Sequence, residues 1–112
     1  MHYLVTGHTG FKGAWLTLLL LGRGHRVSGL ALDPVDGSLF DRAGLADLLV
    51  ADHRVDIRDA GATTAAVAAV APDVVVHMAA QPLVRDSYRN PRYTYETNAM
   101  GTLSVLEAVA AT

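Results

Sequence analysis

The stretch Thr6-Gly7-His8-Thr9-Gly10-Phe11-Lys12-Gly13 decides the fold. Its glycines recur as G-x-x-G-x-x-G. A short β-prone run, Tyr3 to Thr6, precedes them, and an apolar helix-forming segment, Ala14 to Leu21, follows. A glycine triplet between a strand and a helix is the context in which such a loop binds the pyrophosphate of a dinucleotide. Gly7 permits the tight turn out of the strand. Gly10 lets backbone approach a phosphate with no Cβ in the way, and Gly13 lets the helix pack closely on the strand. The helix N-terminus then offers free N–H groups and the positive end of its dipole. An ordinary βα turn that happens to hold three glycines is the plainer alternative.

Working outward, Gly22 and Gly24 end the first helix. Arg26 to Leu32 alternates loosely and predicts a second strand. Asp33, Pro34, Asp36 and Gly37 form a turn cluster. Leu39 to Leu49 reads as a loop with a short helix near its end. Arg54 to Ile57 predicts a third strand, and Asp59 caps an Ala-rich helix that runs to about Ala71, before Pro72. Val74 to Met78 (VVVHM) is continuously apolar and predicts a fourth strand buried on both faces. A loop is expected from Ala79 to Arg89. Asn90 then caps a helix with Pro91 in its first turn, running to Thr112. The alternation predicts an α/β fold: a doubly wound parallel-sheet Rossmann fold, here its N-terminal half of about four strands with flanking helices. Because that fold needs a second half, residues 1–112 are expected to be the N-terminal part of an NAD-binding Rossmann domain. The chain is read as truncated, with the rest of the domain and the substrate region absent from it.

Composition excludes several functions. The net charge is -2, which gives no electrostatic case for nucleic acid or an anionic membrane. No cysteine is present, so disulfides and thiolate metal sites are excluded, and a reducing cytoplasm is the default compartment. Trp15 to Leu21 is too short to span a bilayer and lacks the flanks of a signal peptide, so it reads as a buried helix. The five histidines and eleven carboxylates show no metal-binding spacing of the HExxH kind, so no metal is expected.

Two acidic residues are candidate cofactor ligands. Asp33 follows the second strand, about twenty residues after Gly13, where a carboxylate binds the adenosine ribose hydroxyls and disfavours a 2′-phosphate. That implies NAD rather than NADP. A turn aspartate before Pro34 is the alternative. Asp56, at the expected end of the third strand, faces the crevice of an open α/β sheet and could accept a bond from the adenine amino group; a solvated loop aspartate is equally consistent. His77 reads as a satisfied core histidine rather than a ligand. Arg85, Arg89 and Arg92 form either a solvated basic face or a phosphate clamp, and Tyr88, Tyr93 and Tyr95 read as packing residues rather than bases.

Four segments together resemble a family. They are T-G-x-T-G-F-K-G, D-I-R-D at Asp56 to Asp59, H-M-A-A-Q-P-L-V-R at His77 to Arg85, and Y-x-T-N-x-M-G-T at Tyr95 to Thr102. They resemble extended short-chain dehydrogenases/reductases and, more narrowly, CDP-glucose 4,6-dehydratases. The resemblance implies that Gly7, Thr9, Gly10, Phe11 and Lys12 line the pyrophosphate and that Asp56 and Ile57 hold the adenine. Ala79, Ala80 and Gln81 would pass beneath the nicotinamide half. Asn98 would support the active site, and Leu83, Val84 and Arg85 would border a sugar nucleotide. It also implies NAD as cofactor and a lyase reaction on CDP-glucose: hydride taken from C4, water lost across C5 and C6, hydride returned to C6.

That family's catalytic Y-x-x-x-K pair cannot form here, because Lys12 is the sole lysine and no tyrosine lies four residues before it. Alone, the chain is expected to be inactive. An epimerase or reductase of the same superfamily and a non-catalytic nucleotide-binding fragment are the alternatives. Tyr95, Ala99, Thr102, Leu106 and Val109 recur at helical spacing, with Leu103 and Ala110 alongside. They predict a helix with one face on the sheet and another free to pair, hence a homo-oligomer.

Overall fold

The computed structural model describes residues 1–112. Four parallel strands form one sheet in the order β3-β2-β1-β4: β1 His2–Thr6, β2 Arg26–Ala31, β3 Asp52–Arg54 and β4 Val74–His77. The central pair is registered from His2 opposite Arg26 to Thr6 opposite Leu30. The expected half of a doubly wound fold is what forms. Helix α1 (Phe11–Gly22) connects β1 to β2, and α3 (Ala60–Val70) connects β3 to β4. Between β2 and β3 lie α2 (Leu39–Arg42) and a single 3₁₀ turn, Leu45–Leu48. After β4 come α4 (Val84–Arg89), α5 (Pro91–Tyr95), a π turn at Glu96–Met100 and α6 (Gly101–Ala110). No helix is long and apolar enough to cross a membrane.

The main core lies on one face of the sheet. Leu4 and Leu30 meet Ile57, Ala66, Val67 and Val70 from the α3 side and Val105 and Ala108 from α6. On the opposite face Val5 and Val27 pack against Leu20 of α1, and Phe40 and Leu45 fill the space beside Ala14. Helix α1 is buried on one side only: Ala14, Thr17 and Leu20 are covered while Trp15 and Leu19 are exposed.

Some boundaries differ from the sequence reading, each for a physical reason. The third strand is Asp52–Arg54 and not Arg54 to Ile57, because β2 sets its register: Gly29 pairs with Asp52 and Ala31 with Arg54. The ladder closes where Val55 N–H donates to the Ala31 carbonyl at 2.9 Å. Strand β4 is half-buried at every position rather than covered on both faces, since it pairs with β1 alone and its other edge has no strand beside it. The expected loop from Ala79 to Arg89 contains α4. That helix has no side-chain cap; its entry is fixed instead by Gln81, whose Oε1 accepts from Leu83 N–H at 2.8 Å. Between Leu39 and Leu49 the helical turns stand at both ends rather than only the last. The capped helices follow the reading: Asp59 accepts from Ala62 N–H, and Asn90 accepts from Tyr93 N–H ahead of Pro91.

Candidate functional site

A cleft of about 590 Å³ opens at the C-terminal ends of the strands, where ligands bind in open α/β sheets. Its floor is the glycine loop: Gly7, Thr9, Gly10, Phe11, Lys12 and Gly13 all line it. Ala31, Leu32, Val55, Asp56 and Ile57 form the wall beyond β2 and β3, and Met78, Ala79, Ala80 and Pro82 the wall beyond β4. Tyr93 and Thr97 close it from the C-terminal helices.

Each glycine of the loop has a distinct physical demand. Gly7 has φ +78°, and a Cβ there would stand 2.8 Å from Ala79 N. A Cβ on Gly13 would stand 2.0 Å from the Gly7 carbonyl oxygen, so the helix seats on the loop only through a glycine. Gly10 differs. Its φ of -79° suits any residue, and its missing Cβ would meet nothing nearer than the Gly7 oxygen at 3.4 Å. Neither the fold nor the backbone requires glycine there, and the position faces the cleft. No side chain caps the first turn of α1, so its N–H groups are left for a ligand. Thr9 holds the loop to the end of β2 by donating to the Leu32 carbonyl at 2.8 Å.

A charged chain, absent from the sequence reading, runs behind the loop. His8 is fully buried, its ring lying where a Cβ on Gly29 would be. Its Nε2 is 2.7 Å from Asp52 Oδ1. Arg54 grips the same carboxylate with Nε and Nη2 at 3.0 and 2.8 Å, and extends Nη1 to Asp33 Oδ1 at 3.0 Å. Burial holds the His8 pKa below its ordinary value despite the carboxylate. Burial pushes Asp52 the other way, but its bonds to Arg54 and His8 prevail and hold its carboxyl below the usual range. The chain is therefore a neutral His8 donating from Nε2–H to an ionised Asp52, and Nδ1 is left without a partner. Asp52 and Arg54 are neighbours on one face of β3, but it is the β2–β3 register that sets them beside His8 and Asp33, which no local spacing announces.

The other sequence candidates fall in three places. Asp33 stands outside the cleft wall, its side chain 83% exposed and paired with Arg54. Asp56 lines the cleft with its carboxylate already held by Arg58, at 2.7 Å from Nη2. The Arg58 bonds are the main cause of its lowered pKa. That same guanidinium sits 4.6 Å over the ring of Tyr93, which also lines the cleft. Asn98 and Gln81 are joined: Gln81 N–H donates to Asn98 Oδ1 at 2.7 Å, and Asn98 Nδ2 donates to the Gln81 carbonyl at 3.0 Å. Leu83, Val84 and Arg85 are exposed at the start of α4, next to Pro82 of the cleft wall but not themselves lining the cleft. His77 is half-buried between two hydroxyls, as a satisfied histidine would be. No cluster of potential metal ligands is present.

A cleft over a glycine loop on half of a Rossmann sheet defines a class, and the comparisons narrow it. The family model for GDP-mannose 4,6 dehydratase matches residues 4–112, and the chain belongs to that family of extended short-chain dehydrogenases/reductases. It is 53% identical over 106 residues to the CDP-glucose 4,6-dehydratase of Salmonella typhimurium, covering 94% of this chain and 29% of that protein. It is 36% identical to UDP-glucose 4-epimerase 4 of Oryza sativa, covering 96% of this chain and 31% of that one. Among solved structures, the Thermus thermophilus UDP-glucose 4-epimerase complex with NAD superposes with a TM-score of 0.82 at 35% identity, over 96% of this chain and 33% of the epimerase. The chain thus spans about a third or less of the relatives it matches.

Proposed function

We propose that this chain is the NAD-binding portion of a sugar-nucleotide 4,6-dehydratase whose substrate, in the whole enzyme, is CDP-glucose. The observation that carries the reading is Gly10. It is a glycine that neither packing nor φ demands, facing the cleft at the uncapped start of α1, and a phosphate approaching the backbone supplies the missing reason. Gly7, Thr9, Phe11, Lys12 and Gly13 would complete that cradle, and Lys12 adds a cation beside it. Asp56 and Ile57 would take the adenine, with Asp33 near the ribose and Ala79, Ala80 and Gln81 along the nicotinamide half. Leu83, Val84 and Arg85 would border the sugar nucleotide, with Asn98 supporting the active site. When bound, NAD supplies a reversible hydride acceptor, the chemistry that a dehydratase of this kind needs.

The chain's own residues bind and orient, but they cannot supply the catalytic base. Lys12 is the sole lysine and no tyrosine precedes it by four, so the tyrosine–lysine pair must come from sequence outside residues 1–112. A sugar-nucleotide epimerase is the second reading, favoured by the rice and Thermus relatives; the higher identity to the Salmonella dehydratase, 53% against 36% and 35%, supports the dehydratase reading ahead of it. Calorimetric titration of the chain with NAD is expected to show one saturable site, and the purified chain is expected to form no 4-keto sugar from CDP-glucose. A folded chain that takes up no NAD would refute the nucleotide reading. Turnover by the chain alone would refute the division of labour.

A further inference from the structure

Between the end of β1 and the π turn runs a line of neutral hydrogen bonds whose middle members, Thr6, His77 and Thr102, have no part in the nucleotide reading. Met78 N–H and Ala79 N–H donate to Thr6 Oγ1 at 2.9 and 3.1 Å, Met78 N–H also reaching the Thr6 carbonyl at 3.1 Å. A hydroxyl has two acceptor lone pairs and one hydrogen. With two donors aimed at its oxygen, Thr6 Oγ1 directs its hydrogen to its third neighbour, His77 Nδ1, 2.7 Å away. Nδ1 is therefore the bare nitrogen, and the ring proton sits on Nε2. From there it points at Thr102 Oγ1, 3.0 Å away. Thr102 in turn donates to the Asn98 carbonyl at 2.6 Å. Thr102 Oγ1 thus accepts from the ring and donates onward, so the line runs in one direction from Thr6 to Asn98.

The line closes on itself. The side chain of Asn98 clamps the backbone of Gln81 by its N–H and its carbonyl, and Gln81 belongs to the segment, beginning at Met78 and Ala79, whose N–H groups start the line. Asn98 is thus held twice, by its carbonyl through Thr102 and by its carboxamide through Gln81. It sits in a π turn, where Gly101 N–H reaches back five residues to the Glu96 carbonyl; such turns occur often at functional sites. Two walls of the cleft, Met78 to Ala80 on one side and Thr97 on the other, are joined through the imidazole.

We propose that His77, as the neutral Nε2–H tautomer, is a positioning residue that sets the distance between the Ala79–Gln81 wall and the π turn carrying Asn98. The role rests on the nucleotide reading only for its consequence, the shape of the cleft where the ring end of a dinucleotide would lie. A protonated ring would turn Nδ1 into a donor against a hydroxyl whose lone pairs are already engaged, so the line admits one state. No charged side chain from β1, β4 or α6 acts on the ring; burial alone lowers its pKa.

The test reads the tautomer first. In histidine-labelled protein at pH 7, nitrogen NMR is expected to give His77 a pyridine-like Nδ1 and a pyrrole-like Nε2, assigned by the loss of both signals in His77→Gln. The opposite tautomer, or an exchange average of the two, would overturn the proposal. The second readout is hydrogen exchange at Gln81 N–H. Thr102→Val keeps the shape and cannot pass the bond; it is expected to speed that exchange about tenfold, with core amides of α3 unchanged and Thr102→Ser restoring protection. Unchanged protection at Gln81 in folded Thr102→Val would equally overturn it. NAD affinity, measured alongside, is expected to fall in Thr102→Val and recover in Thr102→Ser. Wild-type protein that shows the tautomer and the protection but binds no NAD refutes the nucleotide reading alone.

Discussion

The two ends of the cleft are held in place by opposite means. Around the glycine loop, β1 and β2 are buried almost throughout, and the polar groups behind them carry charge: Asp52, Arg54 and Asp33 in series, with the buried His8 at the head. Around β4 and the C-terminal helices every strand residue is half-buried, and the polar line from Thr6 through His77 to Asn98 is neutral throughout. The first end is over-determined by packing, so single contacts there fail by steric collision. The second depends on hydrogen-bond direction and has an open side, so it fails by loss of geometry or by recruitment of a partner. Experiments that disturb one end and spare the other should separate these behaviours.

The largest effect lies at the glycines. Gly13→Ala drives a Cβ to 2.0 Å from a backbone oxygen, where no flexible group can yield. It is expected to destabilise the fold by about 3 kcal/mol or more, measured by urea unfolding. Gly10→Ala has room and an ordinary φ, so its cost should be about 1 kcal/mol or less, that of a poorer N-cap. Yet, on the proposed nucleotide reading, it should weaken NAD at least about tenfold, since the new methyl would stand where the pyrophosphate would approach. If both variants unfold alike, or Gly10→Ala binds NAD normally, the distinction between structural and ligand-facing glycines is wrong.

Association is next. Gly101, Ser104, Val105 and Ala108 turn inward from α6, while Tyr95, Leu103, Leu106 and Val109 are exposed along the same helical run. The unpaired edge of β4 lies on this end too. Open strand edges and broad apolar patches recruit other chains. The chain is therefore expected to self-associate at micromolar concentration, seen by sedimentation, and Leu106→Glu should shift it toward monomer without unfolding it. A clean wild-type monomer would show that this end satisfies itself.

What the sequence revealed divides along the same line. The loop and the alternation of strands and helices were legible because Gly7, Gly10 and Gly13 are local in sequence and their demands are local in space. Asp59 and Asn90 were legible as caps for the same reason. The His8–Asp52–Arg54–Asp33 chain was not, since His8 and Asp33 come from segments remote from Asp52 and Arg54 in sequence, and the pairing of Gly29 with Asp52 and Ala31 with Arg54 sets β3 beside them. The place of Tyr93 on the cleft was not legible either, because the guanidinium over its ring belongs to Arg58, far off in sequence. Helix α4 went unread because its start is organised by the Gln81 side chain and not by a cap of its own.

Acid should act on both ends, in order. Burial is the leading cause of the lowered pKa of His2, His8 and His77, so the unfolded chain binds more protons at these sites than the folded one. Stability from them is complete above the unfolded value of 6.5 and is lost as pH falls from there through the folded values. Asp52 and Asp56, also lowered, hold their contribution until pH falls below 3.8. Melting temperature should be level from about pH 8 to 7 and decline below about 6.5. His77→Gln, acting at the neutral end alone, should flatten part of that decline and leave the rest. A melting temperature indifferent to pH between 7 and 5 would remove the buried histidines from the account.

The smallest effect expected is at Asp33, where the charged end meets solvent. Its carboxylate is mostly exposed and shares Arg54 with Asp52, so its field on a bound nucleotide is screened. Even so, a 2′-phosphate near the end of β2 would face two carboxylates and one guanidinium, a net negative site. NAD should bind more tightly than NADP. Asp33→Asn removes one charge and frees Arg54 Nη1, so NADP affinity should rise by about fivefold, about 1 kcal/mol, with NAD nearly unchanged. Arg54→Ala should move the preference the other way, toward NAD, because it removes the cation and leaves both carboxylates. Competition titrations of the two cofactors against the three proteins decide it. An unchanged NAD to NADP ratio in both variants would reduce Asp33 to a turn residue and confine the charged chain to holding the loop.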